Sequence, residues 1–310
     1  MCVSLAFSKL VVRFVYGFHM PLFFMMSGYV HGLKEHFSSG QSFSYYLRKN
    51  IVCIYIPCLF FSYLQAFLNF IVFSSYTNLS GVHIPSLYHF LTIPFRGFLN
   101  YWFLSALFFV KTLHLLLERY ISREYILMLF WVISFIVIKS LSGILPAFFI
   151  FFTYGLYFHI GFMMRRYNFL PQKCYWGIIL LIIGIACFTL KFFCGTENIF
   201  VVTGVSMCIS LALFILFYSL KINNSFLILC GLYSMVIYCV HNYAAVIFRL
   251  AYKFLNLHSF NLYPSFLFLI CFMFALFIPL MVVWLYKNVK CLRWIEYIFY
   301  PGKYKKNPLP

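Results

Sequence analysis

The chain has 310 residues, 65% of them hydrophobic and 9% charged, with 23 Lys and Arg against five acidic residues and a formal net charge of +18. Soluble domains carry about 45–50% apolar and about 25% charged residues, which excludes a soluble globular enzyme. Apolar runs of about 20 residues recur along the chain, the signal of membrane helices rather than the roughly ten-residue alternation of a barrel. The excess of positive charge would suggest nucleic acid in a soluble protein. In so apolar a chain it reads as Lys and Arg fixing topology against anionic lipids, so membrane lipids are the expected partner and nucleic acid is not.

In chain order, the pattern predicts an all-α, polytopic membrane protein of about nine helices. They lie at about 13–30, 51–73, 100–117, 125–142, 146–163, 175–194, 199–220, 226–248 and 265–286. One membrane-embedded domain spans 1–310, with 287–310 a basic cytoplasmic tail. The first segment holds Phe18-His19-Met20-Pro21-Leu22-Phe23-Phe24-Met25-Met26-Ser27-Gly28-Tyr29, where a histidine, a proline and a Ser-Gly pair interrupt a membrane-length apolar run. Between the second and third segments, the stretch at about 74–99 holds Asn78, Gly81, Pro85, Pro94 and Gly97 and reads as a loop that partly re-enters. Asn78-Leu79-Ser80 is a sequon on the predicted outer side.

Lys and Arg divide between the two sides of this topology at roughly two to one, dominated by the C-terminal tail, which places the C-terminus in the cytoplasm. Nine helices then put Met1 outside, ahead of a marginal first helix and without signal-peptide features. One further upstream helix would repair the parity, so the chain is expected to be N-terminally truncated by one helix. Most of the eleven Cys sit inside apolar runs, with no CxxC pair, and read as small buried hydrophobes.

Ionisable groups within apolar spans are costly and default to a functional reading. His19 is the sharpest of these, and His241, followed by Asn242 and Tyr243, is the second. Ser27 and Gly28 offer either oxyanion donors or close helix packing. Tyr101 and Trp102 open a helix and suit either sugar stacking or an interfacial aromatic belt. His31, His36, His83 and His89 read as loop residues, and no metal is expected because ligand spacing is lacking. Glu35 and Glu118 read as solvated helix ends.

Four blocks in order resemble the integral-membrane acyltransferase 3 family, within it the branch of fucose O-acetylase-like and surface-polysaccharide O-acetyltransferases. They are the Phe18–Tyr29 segment; Arg48-Lys49-Asn50 through Ile56-Pro57; Tyr101-Trp102-Phe103-Leu104-Ser105-Ala106-Leu107-Phe108-Phe109; and Gly231-Leu232-Tyr233-Ser234-Met235-Val236-Ile237-Tyr238 with His241. Tyr154-Gly155 through Gly161 and Arg165-Arg166 add a weaker match. The resemblance implies ten helices and transfer of acetyl from acetyl-CoA to a hydroxyl of a cell-surface glycan or lipid-linked precursor, in the bacterial cytoplasmic membrane. It implies a supporting role at the active site for His19, which lies in the family's second-helix block, and a CoA diphosphate bound by cytoplasmic Arg and Lys, for which Arg48, Lys49, Arg119, Arg123, Arg165 and Arg166 are the candidates. Acetyl-CoA is then a co-substrate, and no bound cofactor is expected. The family's first helix carries an Arg or Lys with a His eleven residues on. Here Arg13 leads to Phe24 and Lys9 to Met20, so the pair is absent from this sequence. A catalytically dead remnant of the same family and a glycan transporter or flippase are the alternatives.

Overall fold

A computed structural model of the chain describes residues 2–33, 43–74, 86–98, 101–121, 123–141, 144, 147–171, 173–194, 199–220, 223–254 and 264–300. Every regular element among them is helical. Four stretches are long and apolar enough to cross a membrane: Phe43–Phe70, Cys174–Lys191, Val201–Leu220 and Leu269–Asn288. A fifth is Ser225–Leu232 with Ser234–Phe248, if that pair, bent by 81°, counts as one span. Ile178, Ile179, Ile182 and Ile183 on one such helix, and Phe272, Phe277, Met281 and Trp284 on another, are exposed. Apolar side chains facing outward along whole helices suit lipid rather than water.

The helices cluster into two compact units, Met1–Arg48 with Phe103–Ile222, and Lys49–Trp102 with Asn223–Pro310. In the first unit, α1 (Cys2–Gly32) packs chiefly on α7 (Gly155–Arg166). Around them lie the rest of α5 (Trp102–Tyr120) beyond Trp102, α6 (Glu124–Ser140), α8 (Cys174–Cys194) and α9 (Ile199–Leu220). The expected helix at 13–30 is longer, starting at Cys2. The expected helix at 146–163 begins as a 3-10 segment, Ala147–Tyr154, before α7. Pro21 lies inside α1 and leaves the Gly17 carbonyl without its helical donor. One residue on, the Phe18 carbonyl accepts a hydrogen bond from Ser210 of α9 at 3.1 Å.

Backbone contact sets the α1–α7 spacing. A Cβ on Gly28 would lie 1.8 Å from the Phe158 carbonyl oxygen, and one on Gly161 would lie 1.9 Å from that of Met25. Gly28 and Gly32 form a small-xxx-small pair, which lets two helices touch along their backbones. At Gly155 a Cβ would strike the Trp131 ring at 1.9 Å, so α6 also leans on a glycine of α7.

The second unit holds α2 (Phe43–Asn50) from Lys49 onward, a π-turn over Ile51–Tyr55 and α3 (Ile56–Ser74). It continues with α4 (Leu87–Arg96), α10 (Ser225–Leu232), α11 (Ser234–Phe254), α12 (Pro264–Asn288) and α13 (Trp294–Phe299). The stretch read as a loop at about 74–99 therefore carries a helix, whereas Asn78, Gly81 and Pro85 fall outside the described residues. His89, read as a loop residue, sits in the first turn of α4 and pairs with Ser86 in a capping box. Pro94 deprives the Phe90 carbonyl of its helical donor, and Tyr63 of α3 donates to it at 3.4 Å. Tyr55 donates to the Pro94 carbonyl at 2.8 Å, and Ser62 accepts from the Phe98 amide at 3.2 Å. Gly97 ends α4 at φ +65, where a side chain would be strained. The predicted helix at 226–248 is two helices, joined at Tyr233.

Gly28→Ala and Gly161→Ala each force the α1 and α7 backbones apart. Each should cost at least the ~1–3 kcal/mol typical of an overpacked core, seen as a lower melting temperature in detergent. The double variant should fail to yield folded protein. Gly204→Ala, inside α9 where a Cβ meets nothing within 4 Å, should leave the melting temperature unchanged or raise it slightly, since Ala favours a helix over Gly.

Candidate functional site

The densest set of chemical side chains lies where one end of the first unit gathers the last turns of α1, α5 and α7 and the first turn of α6. His114 and Glu118 are four residues apart on α5 and so share a helix face. His31 comes from the last turn of α1 and His159 from the middle of α7. His31 is 2% exposed, and His114 and His159 are fully buried. His31 Nε2 stands 3.5 Å from Glu118 Oε2. His114 Nε2 and His159 Nδ1 are 3.0 Å apart. One of that pair must donate and the other accept, so the hydrogen bond needs at least one neutral imidazole. Trp131 stacks on His114 at 6.3 Å and 10°, and Phe158 and Phe162 close on the same ring at 5.1 and 4.8 Å.

One arginine gathers the charge at the mouth of this cluster. Arg166 lies 3.4 Å from Glu118 Oε1 and also pairs with Glu124. The arrangement follows from helix polarity. Arg165 and Arg166 end α7 and Glu124 opens α6, each at the terminus whose dipole favours its charge. The Glu118 and Glu124 side chains are 12% and 8% exposed while Arg166 is half exposed. Tyr167, just beyond α7, is held above the usual tyrosine range, first by its hydrogen bond to Glu124 and then by that carboxylate's charge. Arg165 sits 5.8 Å over the Tyr29 ring and donates to Asn168 at 3.5 Å.

Glu118, expected as a solvated helix end, is thus an inward-facing ion-pair partner, because the end of α5 is covered by α1 and α7. His31, expected in a loop, belongs to α1, which continues to Gly32. His36, His83 and Glu35 lie outside the described residues.

Of the predicted site residues, His19, Ser27, Arg48, Arg165 and Arg166 belong to the first unit, and Lys49, Trp102 and His241 to the second. His19 is half-buried on α1, and its Nδ1 lies 2.9 Å from the Val15 carbonyl. A carbonyl only accepts, so the proton is on Nδ1 and Nε2 carries the lone pair when the ring is neutral. His241 is held the same way, its Nδ1 2.6 Å from the Tyr238 carbonyl. Beside it, Asn242 donates to Gln65 at 3.3 Å and Gln65 to Asn69 at 2.8 Å. Ser27 is half-buried, and Arg48 and Lys49 are exposed. Trp102 is half-buried; its neighbour Tyr101 is fully buried and donates to the Cys239 carbonyl at 2.7 Å.

The family model for acyltransferase 3, described as an acyltransferase domain, matches residues 3–285. The chain belongs to the acyltransferase 3 family. Neither the curated proteins nor the solved structures gave a match. Together with the long apolar helices, the match makes this chain an integral membrane protein of the acyltransferase class.

In this acyltransferase 3 protein, sequence reading passed over His114 and His159. The signal was present: both are ionisable residues inside predicted membrane segments, the same ground on which His19 stood out. The i, i+4 spacing of His114 and Glu118 also marked a common face. What the sequence lacks is the third element, since His31 lies 83 positions before His114.

Replacing Arg166 with Met leaves the nearly buried Glu118 and Glu124 without their shared cation. A fully buried pair would lose ~3–5 kcal/mol on such a change. With Arg166 half exposed, about 1–3 kcal/mol of stability should be lost, read as a fall in detergent melting temperature. The Arg166→Lys variant should recover only part of it, because one ammonium does not reproduce the guanidinium fork.

Proposed function

We propose that this protein is a membrane-bound O-acetyltransferase of the surface-polysaccharide branch, moving acetyl from acetyl-CoA to a hydroxyl of a cell-surface glycan or its lipid-linked precursor. It would sit in a bacterial cytoplasmic membrane with about nine spans and its C-terminus in the cytoplasm. The observation that carries this reading is the family match along residues 3–285, taken with a histidine in α1 locked in a base-competent tautomer.

In this reading Arg165 receives the CoA diphosphate at the cytoplasmic end of α1, where it lies against Gly32 and Tyr29. Arg166 is engaged by its two carboxylates and serves to position that end. Thirteen residues of helix separate Gly32 from His19, about 20 Å at 1.5 Å per residue, a length that an extended pantetheine arm spans. His19 Nε2 takes the proton of the acceptor hydroxyl as its oxygen attacks the thioester carbonyl. The C–S bond then breaks, and the departing CoA sulfur takes up the proton from the imidazolium. The products are the acetyl ester and free CoA thiol. Ser27, on α1 with His19, remains the proposed oxyanion-side contact.

The competing reading is a catalytically silent family member, motivated by Lys9 and Arg13, which are followed eleven residues on by Met20 and Phe24 and not by a histidine. Purified protein in lipid nanodiscs, given labelled acetyl-CoA and the host glycan, decides between them. Alkali-labile acetate on the glycan is expected, with kcat falling about 10²–10⁴-fold in His19→Gln and KM for acetyl-CoA rising in Arg165→Ala. No transfer by the wild-type chain establishes the silent reading. Transfer unaffected by His19→Gln removes His19 as the base.

A further inference from the structure

We propose that His31, His114 and Glu118 form a binding site for a divalent transition-metal ion of the Zn²⁺ class, tying the last turn of α1 to the last two turns of α5. The three residues each present one ligand atom, and these atoms lie within 4.8 Å of one another. Ligand atoms about 2.0–2.2 Å from a tetrahedral ion sit about 3.3–3.6 Å apart. His31 Nε2 and Glu118 Oε2 are already at 3.5 Å, so the widest edge has at most about 1.5 Å to close.

The donor set selects the ion. Two imidazoles and one carboxylate suit zinc and its neighbours, whereas magnesium and calcium prefer all-oxygen shells. Three protein ligands leave a fourth position for water or an anion. Outer partners hold two of the three ligands, His114 and Glu118, as metal sites require. His114 is oriented by His159 at 3.0 Å and by the stacked Trp131. Glu118 is oriented by Arg166 at its other oxygen, Oε1. Glu124 balances Arg166, so the arginine does not leave uncompensated positive charge beside the ion. Burial of both histidines excludes the competing water that weakens surface sites.

The site shares no residue with the base and the CoA contact proposed above, although His31 adjoins Gly32 and Glu118 pairs with Arg166, and its test needs neither acyl donor nor acceptor. The full chain is purified in detergent, stripped with a chelator and reloaded with Zn²⁺ or Co²⁺. The expected results are one ion per chain by elemental analysis, a rise in melting temperature on adding Zn²⁺ that the chelator reverses, and the visible absorption of a tetrahedral Co²⁺ centre. His31→Asn and His114→Asn should each abolish the Co²⁺ spectrum and the Zn²⁺-dependent melting shift. His159→Asn, which alters only an outer partner, should weaken the metal about 10–100-fold. If folded wild-type protein takes up no stoichiometric ion, or if both ligand variants retain the same spectrum and shift, the proposal is overturned. Should the ligand variants not fold, the wild-type Co²⁺ spectrum and stoichiometry decide by themselves.

Discussion

The backbone contact between α1 and α7 is the constraint on which the first unit depends. Lipid is as apolar as a leucine side chain, so membrane helices gain little by hiding apolar surface from it and associate through close packing instead. Gly28 and Gly161 remove the side chains that would hold the two helices apart, and the carbonyls of Phe158 and Met25 occupy the space. The register that results carries through the next turn. It brings Gly32 against Arg165, and it lays the last turn of α1 over the carboxylate of Glu118. Gly155 extends the same device to α6 by admitting the Trp131 ring, which in turn stacks on His114.

The histidines fall into two chemical kinds. His19 and His241 each give their Nδ1 proton to a carbonyl of their own helix, which consumes one nitrogen locally and leaves the other an acceptor in the neutral ring. His31, His114 and His159 face other side chains across helices, in a core walled by Phe158, Phe162 and Trp131. The first kind keeps a lone pair on Nε2 in its neutral form. The second suits a fixed network, since moving any one ring disturbs its partners in a low-dielectric setting where misplaced polar groups are costly. Only five carboxylates occur in the chain, and two of them meet at Arg166, a concentration that net charge alone would not suggest.

The second unit solves a different problem, a proline inside a short helix. Pro94 frees a carbonyl in α4, and the tyrosines of the neighbouring segment supply donors to Phe90 and Pro94. Ser62 receives the Phe98 amide just past the helix end. In a membrane setting such side-chain donors and acceptors replace the water that would otherwise satisfy exposed backbone. Tyr55 and Tyr63 suit that role because a ring that packs as an apolar body with a hydroxyl at its tip serves both needs.

Composition and apolar run length were enough to specify an all-helical membrane chain, and four ordered blocks were enough to point to its family, because both are properties of local sequence. The tautomers of His19 and His241 are also local, each set by a carbonyl three or four residues away. Helix ends were harder to read. The continuation of α1 through His31 and the break at Tyr233 depend on which neighbours cover or free the backbone there. The cluster of His31, His114, His159, Glu118 and Arg166 was decided by tertiary structure alone. Its members come from three helices far apart in the chain, and only the glycine-mediated approach of α1 to α7, with α5 packed beside them, brings their polar atoms within reach of one another.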